Sequence, residues 1–225
     1  MNLASLTLYH QALLFAAAFV LFTSFMMLAT ARIQPLIFAF AWQGVLLAIV
    51  TALVALVSNH PHLYISALLT FGLKALLIPW MLYRLAGRLN ILHEIEPIRH
   101  PSILLVAGAA LVIFSYHVAT PVAHLSPLVT RNTIAVSMAV ILLGMLLMVT
   151  RSKAVAQVVG FMSIENGLFF AAVVATYGMP MVVELGIAFD VLVAMVLFGV
   201  FFFQIRASID SLDVDRLNRL SERGE

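Results

Sequence analysis

Three ionisable side chains stand inside long apolar stretches. Glu165 lies in Gly160-Phe161-Met162-Ser163-Ile164-Glu165-Asn166-Gly167, Asp190 in Ala188-Phe189-Asp190-Val191-Leu192, and Lys74 in Lys74-Ala75-Leu76-Leu77-Ile78-Pro79-Trp80. A charged group at the centre of a bilayer costs about 3 kcal/mol or more, so such residues are functional candidates by default. Burial raises a carboxyl's pKa, whereas a nearby cation or hydrogen-bond donor lowers it. A carboxyl poised between these effects gains and loses a proton readily, as a proton relay needs. The bland reading of Glu165 and Asp190 is a neutral packing residue, with Glu165 bonded to Ser163 or Asn166. Lys74 is too deep to snorkel, and its bland reading is an ion pair with a partner subunit. Pro79, five residues on, removes a backbone donor and frees a carbonyl beside the lysine. Glu184 is a fourth candidate for the proton pathway, nearer the outer interface. Ser163, Asn166, Gly167 and Pro79 are expected to support the site structurally. No catalytic residue and no metal ligand set is expected.

The surroundings of these residues are membrane spans. Of 225 residues, 64% are hydrophobic and 10% charged, a composition that excludes an ordinary soluble domain. The apolar runs are about 20 residues long, enough to cross a hydrocarbon core as helices. Their lack of period-two alternation excludes a barrel. The fold class expected is therefore an all-α integral membrane protein with about seven transmembrane helices, near 5–29, 34–57, 63–85, 102–119, 132–150, 155–177 and 181–206. The N-terminal residues lack the basic start of a cleavable signal, so the first span is expected to be retained. Helix rise from a turn near Met179 puts Glu165 roughly 21 Å and Asp190 roughly 16 Å along their spans, close to the bilayer middle. Facing helices pack about 8–10 Å apart, so one or two waters would bridge the two acids.

Lysine and arginine set the orientation. With the N-terminus outside, Arg32, Arg84, Arg88, Arg99, Arg151, Lys153, Arg206, Arg216, Arg219 and Arg223 share the inner side, against Arg131 alone on the outer. The C-terminus is then inside. Four regions are expected: a three-helix unit (1–86), a link with the fourth helix and an outer loop (87–131), a second three-helix unit (132–206), and an amphipathic tail (207–225). Gln34, Gln43-Gly44 and Lys74 can be laid over Gln157, Asn166-Gly167 and Asp190, a candidate parallel three-helix pseudo-repeat. In the tail, Val214, Leu217 and Leu220 recur at helical spacing, as a solvated helix end or as a docking helix.

Other chemistry finds little support. The chain contains no cysteine, which excludes thiolate clusters and cysteine nucleophiles. His10, His117 and His124 read as polar boundary residues, and His60 and His62 flank Pro61 in a turn; none has metal-ligand spacing. Phosphate-binding loops and nucleophile elbows are absent.

The stretch from Arg131 onward resembles the three-helix K subunit of respiratory complex I and the matching subunit of multisubunit cation/proton antiporters. The likeness rests on the basic link Arg151 and Lys153, on Gly160-Phe161-Met162-Ser163-Ile164-Glu165-Asn166, on the apolar hairpin with Asp190, and on Asp213-Val214-Asp215-Arg216-Leu217. A seven-span chain with this ending resembles the hydrogenase-4 component E family of complex-I-like [NiFe] hydrogenase and formate hydrogenlyase assemblies. The resemblance implies a subunit of an oxidoreductase that is not an enzyme on its own and contributes acids to proton translocation. Glu165 matches the glutamate of the second helix of the K-like unit, and Asp190 matches the acid of the third, shortened to aspartate. Lys74 lies outside that match. The resemblance also implies a nickel–iron centre and iron–sulfur clusters in partner subunits, with no cofactor in this chain. The partners would be antiporter-like membrane chains, soluble hydrogenase subunits and lipid, with no nucleic acid, in a bacterial or archaeal cytoplasmic (inner) membrane. Other readings are an antiporter subunit, a stand-alone carrier or channel, and a structural scaffold.

Overall fold

The computed structural model describes residues 8–58, 62–89, 91–92, 101–120, 128–176, 184–197 and 199–200. The tail and most of the polar link after Arg88 lie outside them. The helices are α1 (Leu8–Ala29), α2 (Ile33–Ser58), α3 (His62–Thr70), α4 (Ile78–Arg88), α5 (Pro101–Ala119), α6 (Leu128–Thr150), α7 (Ala154–Ala175) and α8 (184–197). A π-helical segment, Phe71–Leu77, joins α3 to α4, so that one apolar span runs over Leu63–Arg88. Six described helical spans are long and apolar enough to cross a membrane. They coincide with the first six expected from the hydropathy. Of the seventh, 181–206, residues 184–197 are helical and most of the rest lies outside the described residues.

Four helices form the centre: α1 packs on α2, α2 on α7, α7 on α6, and α6 back on α1. The α6–α7 seam is the most extensive. Glycine makes it close. A Cβ on Gly160 would lie 2.9 Å from the Met148 backbone nitrogen, and one on Gly144 would lie 2.9 Å from that of Ile164. Without a hydrophobic force between helices in lipid, such backbone approach supplies the packing. The span built of α3, the π segment and α4 flanks α2, and α5 covers α6 and α1 from outside. The short links between spans are pinned as well. Buried Arg151 donates from Nη2 to the carbonyls of Thr30 (2.5 Å), Leu28 (3.2 Å) and Met27 (3.4 Å) at the end of α1. This cation meets the negative end of a helix whose last carbonyls lack intrahelical partners.

The interior has two apolar cores. Met27, Phe40, Ile78, Leu143, Met162 and Val193 belong to one, and Val20, Leu47, Leu63, Val140, Phe169 and Val173 to the other. A polar layer separates them. On each helix that contributes to it, the polar residue falls between members of the two cores: Ser24 after Val20, Gln43 after Phe40, Lys74 before Ile78, Asn166 after Met162.

Candidate functional site

Lys74 is the hub of that layer. The residue is fully buried, and its ammonium meets the Glu165 carboxylate directly, with the Asn166 Oδ1 acceptor at 3.0 Å and Asp190 Oδ1 at 3.4 Å. The Phe169 ring centroid lies 4.7 Å from Nζ, a cation–π contact. An ammonium has three protons and no lone pair, and here it faces three oxygens and a ring.

The π segment positions it. The Ile78 N–H donates to the Leu73 carbonyl, five residues back, and Pro79 at the start of α4 has no N–H to restore the usual ladder. The wider turn buries Lys74 and Ala75 together. Gly44 of α2 lies against this turn, where a Cβ would sit 2.8 Å from the Lys74 carbonyl carbon and oxygen. Sequence reasoning located the proline and the freed carbonyl but not the π register against which α2 packs.

Asn166 extends the site sideways. Its Nδ2 donates to Gln43 Oε1 (2.9 Å), Gln43 Nε2 donates to Ser24 Oγ (2.9 Å), and Ser24 Oγ donates to the Val20 carbonyl (3.0 Å). The bonds run in one direction, from the ammonium on the third span to a backbone carbonyl on α1. Amides do not exchange charge states near neutral pH, so Gln43 and Asn166 hold the ammonium in place rather than carry protons. Gln43 entered the sequence reading only through the repeat, and Ser24 not at all; a buried glutamine in an apolar span was the available signal for the first. Two of the residue pairs that the repeat lays over one another touch here, Gln43 with Asn166 and Lys74 with Asp190.

The two acids differ in surroundings. Asp190 is fully buried, and neither of its oxygens accepts a hydrogen bond among the described residues. Glu165 keeps a side-chain edge open, 11% exposed, to an apolar groove of about 460 Å³ between α7 and α8, lined by Phe161, Leu168, Leu185 and Phe189. Both acids lie against Lys74, and a cation between two carboxylates relieves their repulsion. Lys74 finds its ion pairs within its own chain.

The remaining expected residues fall around this cluster. Ser163 is buried and its hydroxyl has no hydrogen-bond partner among the described residues, so Asn166 alone of the two serves the site. Gly167 faces α6, where a Cβ would meet Ile141 at 2.8 Å. Glu184 is exposed at the beginning of α8, six residues or about 9 Å before Asp190. Among the described residues no group of three histidine or acidic side chains is placed to hold a metal ion.

No protein-family model matches the chain, and no solved structure matches it. An uncharacterized protein of Mycobacterium tuberculosis, Rv0085, is 31% identical over 209 residues, which span 92% of this chain and 95% of that one. Hydrogenase-4 component E of Escherichia coli K12 is a distant homologue, 26% identical over 183 residues, or 80% of this chain and 84% of the relative. The protein of that name from Shigella flexneri aligns equally well.

Proposed function

The chain belongs to one family with the mycobacterial protein Rv0085, and from that premise we propose that it is a membrane subunit of a complex-I-like, hydrogenase-type assembly whose Lys74–Glu165–Asp190 cluster passes protons. The cluster carries the reading: one ammonium lies between two carboxylates in a polar layer that two apolar cores enclose. Distant homology to a hydrogenase-4 component supports the kind of assembly.

The mechanism follows from charge. Two carboxylates share one ammonium, so the ionised cluster is one positive charge short, and a proton is the cheapest charge to add. Lys74 decides where it goes. When the ammonium sides with Glu165, Asp190 is the acid left to bind a proton; when it sides with Asp190, Glu165 is. The open edge of Glu165 is the way in or out, and Asn166 and Gln43 define the resting position of the ammonium. The chain has no cysteine, so the thiolates for iron–sulfur clusters and a nickel–iron centre belong to partner subunits. In this reading 132–206 is a K-like unit, the membrane is the cytoplasmic one, and antiporter-like chains lie alongside. An antiporter subunit would use the same cluster with different neighbours.

Glu165→Gln tests the reading by removing the titratable proton at nearly constant shape. Protons moved into vesicles per hydrogen turned over, at equal complex content, should fall several-fold, and Asp190→Asn should reduce the ratio less. An unchanged ratio in Glu165→Gln would overturn the relay in favour of a scaffold with a structural carboxyl.

A further inference from the structure

Most buried hydroxyls of the bundle make the same local bond. Thr23, Ser24, Thr51, Ser115 and Ser137 each donate to a carbonyl three or four residues earlier on their own helix. Thr70 and Ser163 differ: both are buried, and neither hydroxyl has a hydrogen-bond partner among the described residues. Ser163 lies two residues from Glu165, about 200° round α7 and away from the side that Glu165 turns to the ammonium. Thr70 is placed beside it. It stands on the third span one turn before Lys74, at the entry to the π segment. A helical side chain leans toward the N-terminus, over the turn that precedes its own Cα. The stem of Lys74 therefore runs back over Thr70, and both residues are fully buried.

Asp190 is the other neighbour of the ammonium with unused capacity. Its Oδ1 is 3.4 Å from Nζ, yet neither of its oxygens accepts a hydrogen bond among the described residues. Glu165 and Asn166 do accept from Nζ. The oxygens around Lys74 thus fall into two sets, each with one carboxylate and one neutral group. Glu165 and Asn166 hold the ammonium; Asp190 and Thr70 stand beside it unused. We infer that Asp190 and Thr70 form a second seat for the Lys74 ammonium, with Thr70 as the positioning residue that matches Asn166 in the first. Rotation within the lysine side chain exchanges the seats without moving a helix. The threonine oxygen accepts an ammonium proton while its own proton turns to a carbonyl of the preceding turn. A hydrogen bond to a cation is stronger than one between neutral groups, so Thr70 brings the second seat closer in free energy to the first. An unpaired buried hydroxyl costs stability, and Thr70 recovers that cost only when the ammonium arrives. The inference deepens the proton role proposed above and rests on it for its purpose, but the seat itself is readable without any transport.

Thermal unfolding of the native assembly, in wild-type and Glu165→Gln backgrounds, tests the seat. Glu165→Gln takes the charge out of the first seat and sends the ammonium to Asp190 and Thr70. Thr70→Val, which keeps the shape and removes the hydroxyl, should leave the wild-type unfolding temperature in place or raise it slightly. In Glu165→Gln the same substitution should lower it by a few degrees. Thr70→Ser, which keeps a hydroxyl, should shift both backgrounds equally. Equal shifts by Thr70→Val in the two backgrounds, or a greater loss in the wild type, would overturn the second seat. So would a Thr70→Ser pattern that matches Thr70→Val. Transport is a separate readout. If Glu165→Gln lowers the protons moved per hydrogen turned over, Thr70→Val should lower them too and Thr70→Ser should not; an unchanged ratio in Thr70→Val would then overturn the positioning role. If Glu165→Gln leaves the ratio unchanged, the relay fails and the unfolding comparison alone decides the seat.

Discussion

Lys74 has two duties that a substitution would separate. It neutralises two buried acids, and it anchors the amide chain that ends at Ser24. Removing one member of a buried ion pair leaves an uncompensated charge and costs about 3–5 kcal/mol, whereas replacing both members by neutral groups costs far less. Lys74→Met is therefore expected to lower the thermal stability of the assembly sharply, and Lys74→Met with Glu165→Gln to recover a large part of the loss. The comparison is a double-mutant cycle read from unfolding temperatures. If the two substitutions add their losses, the contact between Lys74 and Glu165 contributes no coupling energy.

Among elements, the α6–α7 pair and the π segment place the site, and both rely on glycines where backbones meet. Gly160 and Gly167 face α6 at distances that leave no room for a Cβ, whereas nothing lies within 4 Å of one on Gly87. Overpacking costs about 1–3 kcal/mol where neighbours can yield, and here the obstacle at Gly160 is backbone. Gly160→Ala and Gly167→Leu should thus reduce the amount of assembled protein in membranes, and Gly87→Ala should leave it at the wild-type level. Wild-type abundance of Gly167→Leu would mean that the seam is looser than its geometry. Because α7 carries Glu165 and Asn166, any separation of the seam also shifts the acid away from Lys74.

At the scale of the whole molecule, the polar layer divides the bundle into two apolar halves, one around Phe40 and Met162 and the other around Leu47 and Phe169. Such a layer makes register specific: sliding one helix by a turn would place Gln43 or Asn166 against an apolar core with its amide unpaired. Orientation across the membrane is an expectation from the lysine and arginine count instead. A reporter active only outside the membrane should be active when fused near residue 60 or near Tyr177. When fused after Arg88, after Arg151 or at Glu225, it should be silent. Activity at the C-terminal fusion would reverse the orientation or change the number of spans.

The apolar run lengths by themselves determined six helices at the observed positions, and they set the depth expected for Glu165, Asp190 and Lys74. These are one-dimensional properties: length measures hydrocarbon thickness, and position along a helix measures depth. Which way each side chain faces was not legible in the same way. Apolar residues surround α1, α2, α6 and α7 on all sides, lipid being as apolar as the core, so no polar face marks the interior. Only the tertiary structure decided that Lys74 lies between two acids of its own chain, and that Gln43 reaches Ser24. Arg151 is a similar case: as a loop arginine it is one charge in an orientation count, and in the fold it caps α1, more than a hundred residues away. The π register is the plainest example. Pro79 lacks a backbone donor, but that the preceding Ile78 amide reaches the carbonyl five residues back, in a turn against which Gly44 of α2 packs, is seen only in the fold.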